Sequence, residues 1–341
     1  MSSAADTSNE AAVSAPEPSS AGGGGCTVGI DLGGTKILGV VLDAESGEIV
    51  AKKKIPNPRS DGAAAVAAFR DLVGSLTEGQ PPLVGVGVGL AGLVDLDGVL
   101  RYGPNVPGIL NFSVREQLES SFGVPVVVDN DAAMAARAEL DRGAARGAKH
   151  AVLVTQGTGI GGALIIDGAV MPGSNGFAGE PGHMLIQRKG HRCACGQYGC
   201  WEAYASGAGL VNLWNDLRVE GRGLQILERA GGFAQDVRGE HISEAAAQGD
   251  QDAIEIFERF AGWVAQGLGS LVTLLDPELI VLGGGLARAN DLFLSGVQEQ
   301  MRQFVLGPDN RPPVPVVGAA LGETSGAVGA AIASLPGRVR S

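Results

Sequence analysis

The chain has 341 residues, 45% of them hydrophobic, which suffices for one large or two ordinary α/β domains with full cores. Its formal net charge of -12 disfavours a nucleic-acid partner, whose phosphates need lysine and arginine, and equally an anionic membrane surface. The 55 glycines sit in short turns between apolar runs without a Gly-X-Y period, which excludes a collagen-like chain.

Residues 1–25 are Ala, Ser, Gly and Pro with scattered acids. They lack a basic start and an apolar core, so they read as a disordered tail rather than a secretory signal. Strand residues 28–30 then run into Asp31-Leu32-Gly33-Gly34-Thr35-Lys36 and leave as a second strand over 37–42. A third strand over 49–55 ends at Pro56 and Pro58. Residues 62–76 have helical spacing, with Val66, Phe69 and Val73 on one side. A buried strand over 83–90 ends in Gly89-Leu90-Ala91-Gly92, and PNVPG (104–108) must be loop. A short helix over 114–122 precedes a strand over 124–128 that delivers Asp129-Asn130-Asp131 at its carboxyl end, and residues 132–140 read as helix. Ligands of open α/β sheets lie beyond the carboxyl ends of strands, which puts Asn130 and Asp131 in a ligand cleft.

The opening then recurs. Residues 31–43 read DLGGTKILGVVLD and residues 155–167 read TQGTGIGGALIID: strand, glycine turn, strand and aspartate at equal length. A further strand ending in glycine follows in each half, 84–92 and 279–285. The pattern predicts an internal duplication, each half a twisted sheet flanked by helices. Past the cysteine-rich stretch the chain is helical. A long buried helix is expected over 252–275, a strand over 279–282, an extended segment over 312–317 and a small-residue helix over 318–335.

Polyphosphates need backbone N–H donors at close range, which glycine permits. Gly33-Gly34-Thr35 and Gly157-Thr158-Gly159 would cradle the β- and γ-phosphates of a nucleotide. Gly283, Gly284 and Gly285, between strand and helix, would suit the nucleoside or α-phosphate. GTGIGG (157–162) matches G-x-G-x-x-G, but that dinucleotide fingerprint must open a helix, and here it runs into a strand.

Cys193, Cys195 and Cys200 with one histidine make a Cys3His set, the usual closed tetrahedral site of structural zinc. Spacing alone leaves His183 and His191 as rivals for the fourth position. Four cysteines in so long a chain make no disulfide framework, and a cytoplasmic location follows. Glu180 and Glu202 flank the cluster, carboxylates of the kind that bind vicinal hydroxyls of a sugar.

DLGGTK (31–36), GLAG (89–92), PNVPG (104–108), DNDA (129–132), GTGIGG (157–162), GEPGH (179–183), CACGQYGCWE (193–202) and LGGG (282–285) together resemble the ROK family of sugar kinases, in its glucokinase branch. The resemblance spans residues 27–335. It implies a duplicated actin-like ATPase (ribonuclease H-like) fold, two α/β domains around a central cleft, divided as 26–136 with 320–341 and 137–319. It implies glucose and ATP as partners, Mg2+ with the ATP, a homodimer or homotetramer, and no nucleic acid or membrane. Asp131 would be the base that takes the proton of the sugar's 6-hydroxyl. Asn105, Asn130, Glu180, His183 and Glu202 would hold the other hydroxyls, Asp31 would hold Mg2+ through water, and Lys36 would belong to the first phosphate turn. His183 would serve both zinc and sugar, one ring nitrogen each. The chain departs from the family pattern at Ala133, Pro181 and Gln156.

Overall fold

The computed structural model describes residues 24–58, 61–103 and 110–338. The tail expected over 1–25 lies outside them except for Gly24 and Gly25, and so does the proposed sugar ligand Asn105.

Two five-stranded sheets are built alike. In the first, β1 (Cys26–Leu32) pairs antiparallel with β2 (Lys36–Asp43), and β2 with β3 (Ile49–Pro56). On its other side β1 runs parallel to β4 (Leu83–Leu90). A small hairpin of β5 (Leu93–Val94) and β6 (Leu100–Tyr102) comes before β7 (Val126–Asn130), which runs parallel to β4. The second sheet contains β8 (Ala151–Gln156), β9 (Ile160–Ile166), β10 (Ala169–Val170), β11 (Leu279–Gly283) and β12 (Val316–Gly318). The strand orders are β3-β2-β1-β4-β7 and β10-β9-β8-β11-β12, with matching directions throughout. The sequence repeat is thus a repeat of topology, strand for strand. Strands β4 and β11 read as unbroken apolar and glycine runs, and β1 and β8 nearly so until the polar residues at their carboxyl ends, because both faces of each are covered.

In the first half, α1 (Gly62–Thr77) starts where the Asp61 carboxylate accepts the N–H of Ala64, and it buries Val66, Phe69 and Val73. α2 (Val114–Phe122) ends at Gly123, whose φ of 65° is left-handed. α3 (Asp131–Arg142) leaves β7 and packs its alanines against Leu153, Ala163 and Ile165 of the second sheet. Helices α4 (Glu202–Ala205), α5 (Gly207–Val219), α6 (Leu224–Arg229), α7 (Gly239–Ala247), α8 (Gln251–Leu275) and α9 (Asn290–Met301) form the second half's helical layer. Its core holds Trp201, Trp214, Phe257, Phe260 and Phe293, all nearly inaccessible to water.

The chain then returns to the first sheet through α10 (Ser325–Ala333). The expectation of one helix over 318–335 is corrected. Gly318 ends β12, a 3-10 turn occupies Gly322–Thr324, and only nine residues are helical. Alanine and glycine carry no hydrophobic period, so the boundary has no sequence signal. Composition here serves packing instead. A Cβ on Gly29 would stand 1.8 Å from the Ala327 carbonyl oxygen, and one on Gly87 1.9 Å from that of Ala330. A Cβ on Gly329 would stand 1.7 Å from the Met134 oxygen of α3. Gly329→Ala therefore forces α3 and α10 apart and costs about 1–3 kcal/mol, read as a lower urea midpoint. Gly74→Ala is the control: its Cβ meets nothing within 4 Å, in an exposed helix position, and it raises stability by about 0.4–1 kcal/mol.

Candidate active site and metal centre

The carboxyl ends of β1, β4 and β7 face those of β8 and β11 across one open cleft. Asp31, Gly33, Gly34, Thr35, Asn130, Asp131, Gly157, Thr158, Gly159, Glu180, His183, Glu202, Gly283, Gly284 and Gly285 all line it. Lys36 does not; it is exposed, and its carbonyl closes the first hairpin by accepting the N–H of Gly33 at 3.0 Å.

Asp131 is the first residue of α3, and the N-cap is Asn130. The Asn130 side-chain oxygen accepts the N–H groups of Ala132 at 2.8 Å and Ala133 at 3.0 Å, and its Nδ2 donates to the Gly92 carbonyl at 3.1 Å. Capping thus falls to Asn130 and leaves the Asp131 carboxylate with the N–H of Ala132, at 2.9 Å, and its own N–H. For a sugar, Asn130 retains a single amide hydrogen.

No lysine, arginine or histidine pairs with Asp31, Asp131, Glu180 or Glu202 among the described residues. Burial, and then the charge of Asp131, raises Asp31 to about 7. Burial, and then Asp131 and Glu202, raises Glu180 to about 7. Burial also raises Asp131. Carboxylates crowded without cations are costly at neutral pH, and they form a natural seat for a divalent cation and for hydroxyl hydrogens. The consequence for stability has a definite sign. Native Asp31 and Glu180 hold protons that the unfolded chain releases near pH 4, so stability falls as pH climbs from about 4 to about 7. Asp31→Asn accordingly raises the Tm of the ligand-free protein at pH 8 and leaves it unchanged near pH 4. The expected rise is about 2–4 °C, that of ~1 kcal/mol after allowing for water in the open cleft. Calorimetry at the two pH values checks it, and a lower Tm at pH 8 would contradict burial as the cause.

The cysteine cluster is compact. Candidate ligand atoms of His183, Cys193, Cys195 and Cys200 all lie within 4.8 Å of one another. The Cys195 and Cys200 sulfurs are 3.7 Å apart, and His183 Nδ1 is 3.8 Å from Cys193 Sγ. A tetrahedron with ~2.3 Å metal–sulfur bonds has edges of ~3.8 Å, so the set fits zinc. His191 is excluded: its Nε2 faces Asp216 at 3.1 Å and its ring lies against Tyr204. Regular structure is sparse from His183 to Trp201, where two isolated bridges, Leu185 with Cys200 and Arg192 with Tyr198, hold the loop. Glu202 then opens α4. Its Oε1 accepts from Cys193 Sγ at 3.2 Å, and its Oε2 accepts the N–H of Ile160 at 2.9 Å, just past the second glycine turn.

The glycine turns meet open space where a ligand would approach. A Cβ on Gly34, Gly157 or Gly285 would touch nothing within 4 Å. Gly284 is fixed for another reason: its φ is 89° and a Cβ would lie 2.3 Å from the Gln156 carbonyl oxygen. In the second turn the N–H of Gly157 closes onto the Gly159 carbonyl, while the Gly157 carbonyl accepts the N–H of Gly207 at the start of α5. Thr158 and Gly159 are left to offer their N–H groups to the cleft. The three unusual residues are accommodated. Gln156 is buried and donates to the Ala205 carbonyl at 2.8 Å, Pro181 packs on Gly162, and the Ala133 N–H is held by Asn130.

Asn57 had no sequence signal. It lines the cleft and braces the first turn, its Nδ2 donating to the Gly33 carbonyl and its N–H to that of Thr35. Arg238, Ser243 and Arg288 line the same cleft and were equally silent.

The family model described as ROK family matches residues 27–335. A glucokinase from Streptomyces coelicolor is 36% identical over 313 residues, covering 90% of this chain and 96% of that protein. An N-acetyl-D-glucosamine kinase from Erwinia tasmaniensis is 32% identical over 299 residues, 84% of this chain and 91% of its own length. Among solved structures, a ROK family glucokinase from Streptomyces griseus in complex with glucose and AMPPNP aligns with a TM-score of 0.80 at 36% identity, over 91% of this chain and 99% of the other.

Proposed function

The chain belongs to the ROK family of the actin-like ATPase fold, and from that we infer that it is a glucokinase, moving the γ-phosphoryl group of ATP to the 6-hydroxyl of glucose. The observation that carries the inference is an unpaired, half-buried carboxylate, Asp131, across one cleft from glycine turns open to a polyphosphate.

Asp131 accepts the proton of the 6-hydroxyl as that oxygen bonds to the γ-phosphorus and the bond to the ADP oxygen breaks. Glu180, Glu202, Asn130 and the Nε2 of His183 hold the remaining hydroxyls, and Asn105 belongs to the same set by resemblance. The turns Gly33-Gly34-Thr35 and Gly157-Thr158-Gly159 surround the β- and γ-phosphates, the second offering the N–H groups of Thr158 and Gly159, with Gly283, Gly284 and Gly285 at the nucleoside end. Asp31 would hold Mg2+ through water, and the ion, when bound, would offset the charge of the phosphates. His183, Cys193, Cys195 and Cys200 hold a structural zinc, closed by its four protein ligands to any part in the reaction. Closure of the cleft divides the chain into 26–136 with 320–341, and 137–319. The exposed Leu274, Phe304 and Leu306 supply an apolar face for a homodimer or homotetramer. Among the described residues no helix is long and apolar enough to cross a membrane, and the free thiols suit the reducing cytoplasm.

A coupled assay with ATP and Mg2+ over a hexose panel tests this. Glucose is expected to give kcat/KM at least about tenfold above N-acetylglucosamine, N-acetylmannosamine and fructose. An N-acetyl sugar with the highest value would move the assignment to another ROK kinase.

A further inference from the structure

Glu139 is fully buried in α3 and takes no part in the chemistry above. Its carboxylate accepts three backbone hydrogen bonds: Oε2 takes the N–H of Ala144 at 2.8 Å and of Ala320 at 3.0 Å, and Oε1 takes the N–H of Leu321 at 2.9 Å. The Ser325 hydroxyl also lies 3.1 Å from Oε1, its one hydrogen shared with the Gly322 carbonyl at 2.8 Å. Glycine makes room for it, since a Cβ on Gly143 would stand 2.1 Å from Oε2.

The placing of these donors is informative. The chain passes between the two sheets along α3 into β8, and returns from β12 into α10. Ala144 lies on the first crossing; Ala320, Leu321 and Ser325 lie on the second. Glu139 is the point at which both are fastened. Each crossing also bears on a cleft carboxylate. Asp131 opens the helix that carries Glu139. Gly326, next to Ser325, is the site from which a Cβ would stand 2.9 Å from the Asp31 carboxyl group. A glutamine could not copy the arrangement, because its amide nitrogen would turn hydrogens toward groups that are themselves donors.

We propose that Glu139 is a positioning residue for phosphoryl transfer: it clamps the two crossings into one hinge, so that cleft closure is a rigid rotation that brings Asp31 and Asp131 to the transferring phosphate together. The proposal rests on the kinase reading. With the clamp released, each crossing bends on its own and the two carboxylates arrive out of register, which costs turnover more than ground-state binding.

The test is Glu139→Gln in the full chain, at a temperature where circular dichroism shows it folded. Expected are a kcat for glucose lower by about tenfold or more, a diminished fall in radius of gyration when glucose is added, measured by small-angle X-ray scattering, and unchanged metal content. A variant that only melts earlier, with kcat and compaction intact below its transition, overturns the hinge. If Glu139→Gln does not fold, Ser325→Ala decides, since it removes the hydroxyl that touches both the carboxylate and the second crossing and keeps the carboxylate: a smaller loss of kcat with normal metal content supports the clamp, and unchanged kcat overturns it. A wild-type chain that phosphorylates no hexose defeats the kinase reading and the hinge's role with it. A wild-type chain that turns over glucose beside an equally fast, folded Glu139→Gln defeats the hinge alone.

Discussion

Asp131→Asn lowers kcat by about 10²–10⁴-fold, the range for loss of a general base, while glucose still binds. A sugar hydroxyl is a weak nucleophile, and its proton must leave as the oxygen meets phosphorus. Asparagine keeps the size of the side chain and an oxygen for the Ala132 N–H, so the start of α3 is undisturbed. What it lacks is a site to receive a proton. The loss therefore falls on kcat, with the dissociation constant for glucose from calorimetry changed little. The pH profile carries a second sign. Burial raises Asp131, so the acidic limb of kcat/KM lies above the ordinary carboxylate range, because the base acts only when deprotonated. Near-normal turnover by the asparagine variant would remove Asp131 as the base.

Cys200→Ser empties the metal centre and takes the sugar site with it. Metal analysis of the wild-type chain is expected to find about one zinc and of the variant almost none, with kcat/KM for glucose lower by about 10–100-fold or more. The reason is that regular structure is sparse in the loop. Two isolated bridges and scattered turn hydrogen bonds hold it, so a metal joining His183 to three thiols supplies a large share of its order against conformational entropy. His183 lies at one end of that stretch and Glu202 just beyond the other, next to Cys200 and Trp201, with its carboxylate accepting the N–H of Ile160. Releasing the metal frees two sugar-facing groups at once. Cys26→Ser is the comparison: Cys26 sits in β1 far from the cluster, its thiol donating to the Pro81 carbonyl, and its loss leaves metal content and turnover intact. Sensitivity to reductant rather than chelator would point instead to a disulfide between Cys195 and Cys200.

Much of this was legible because it is local. Strand, glycine turn and strand are adjacent in sequence, so the duplication could be read before any contact was known. The cluster could be read from thiol spacing, but the choice between His183 and His191 could not. It depends on Asp216 and Tyr204 claiming His191, both beyond the spacing pattern. Asn130 and Asp131 were rightly placed at a strand's carboxyl end, yet their division of labour was hidden: either type caps a helix, and only the backbone angles assign the cap to Asn130. The four helices α4 to α7 were read only as a helical region; α4 and α6 are too short for a period to declare itself, and all four are separated by short breaks. Glu139 gave no sign at all. Its partners are backbone groups far along the chain, which no side-chain pattern records.

The glycine-to-α10 packing sets a temporal order on the molecule's assembly. The strands of the first sheet are made before α10, and Gly29, Gly85 and Gly87 have nothing to receive until that helix emerges. The second sheet is complete at Gly318, before that helix exists. The sheet made first is therefore covered only after the second sheet is complete, and until α10 emerges Val40 and Leu42 sit on a bare apolar face. A ribosome stalled short of α10 holds a nascent chain whose second half can fold while its first half remains a template for other chains.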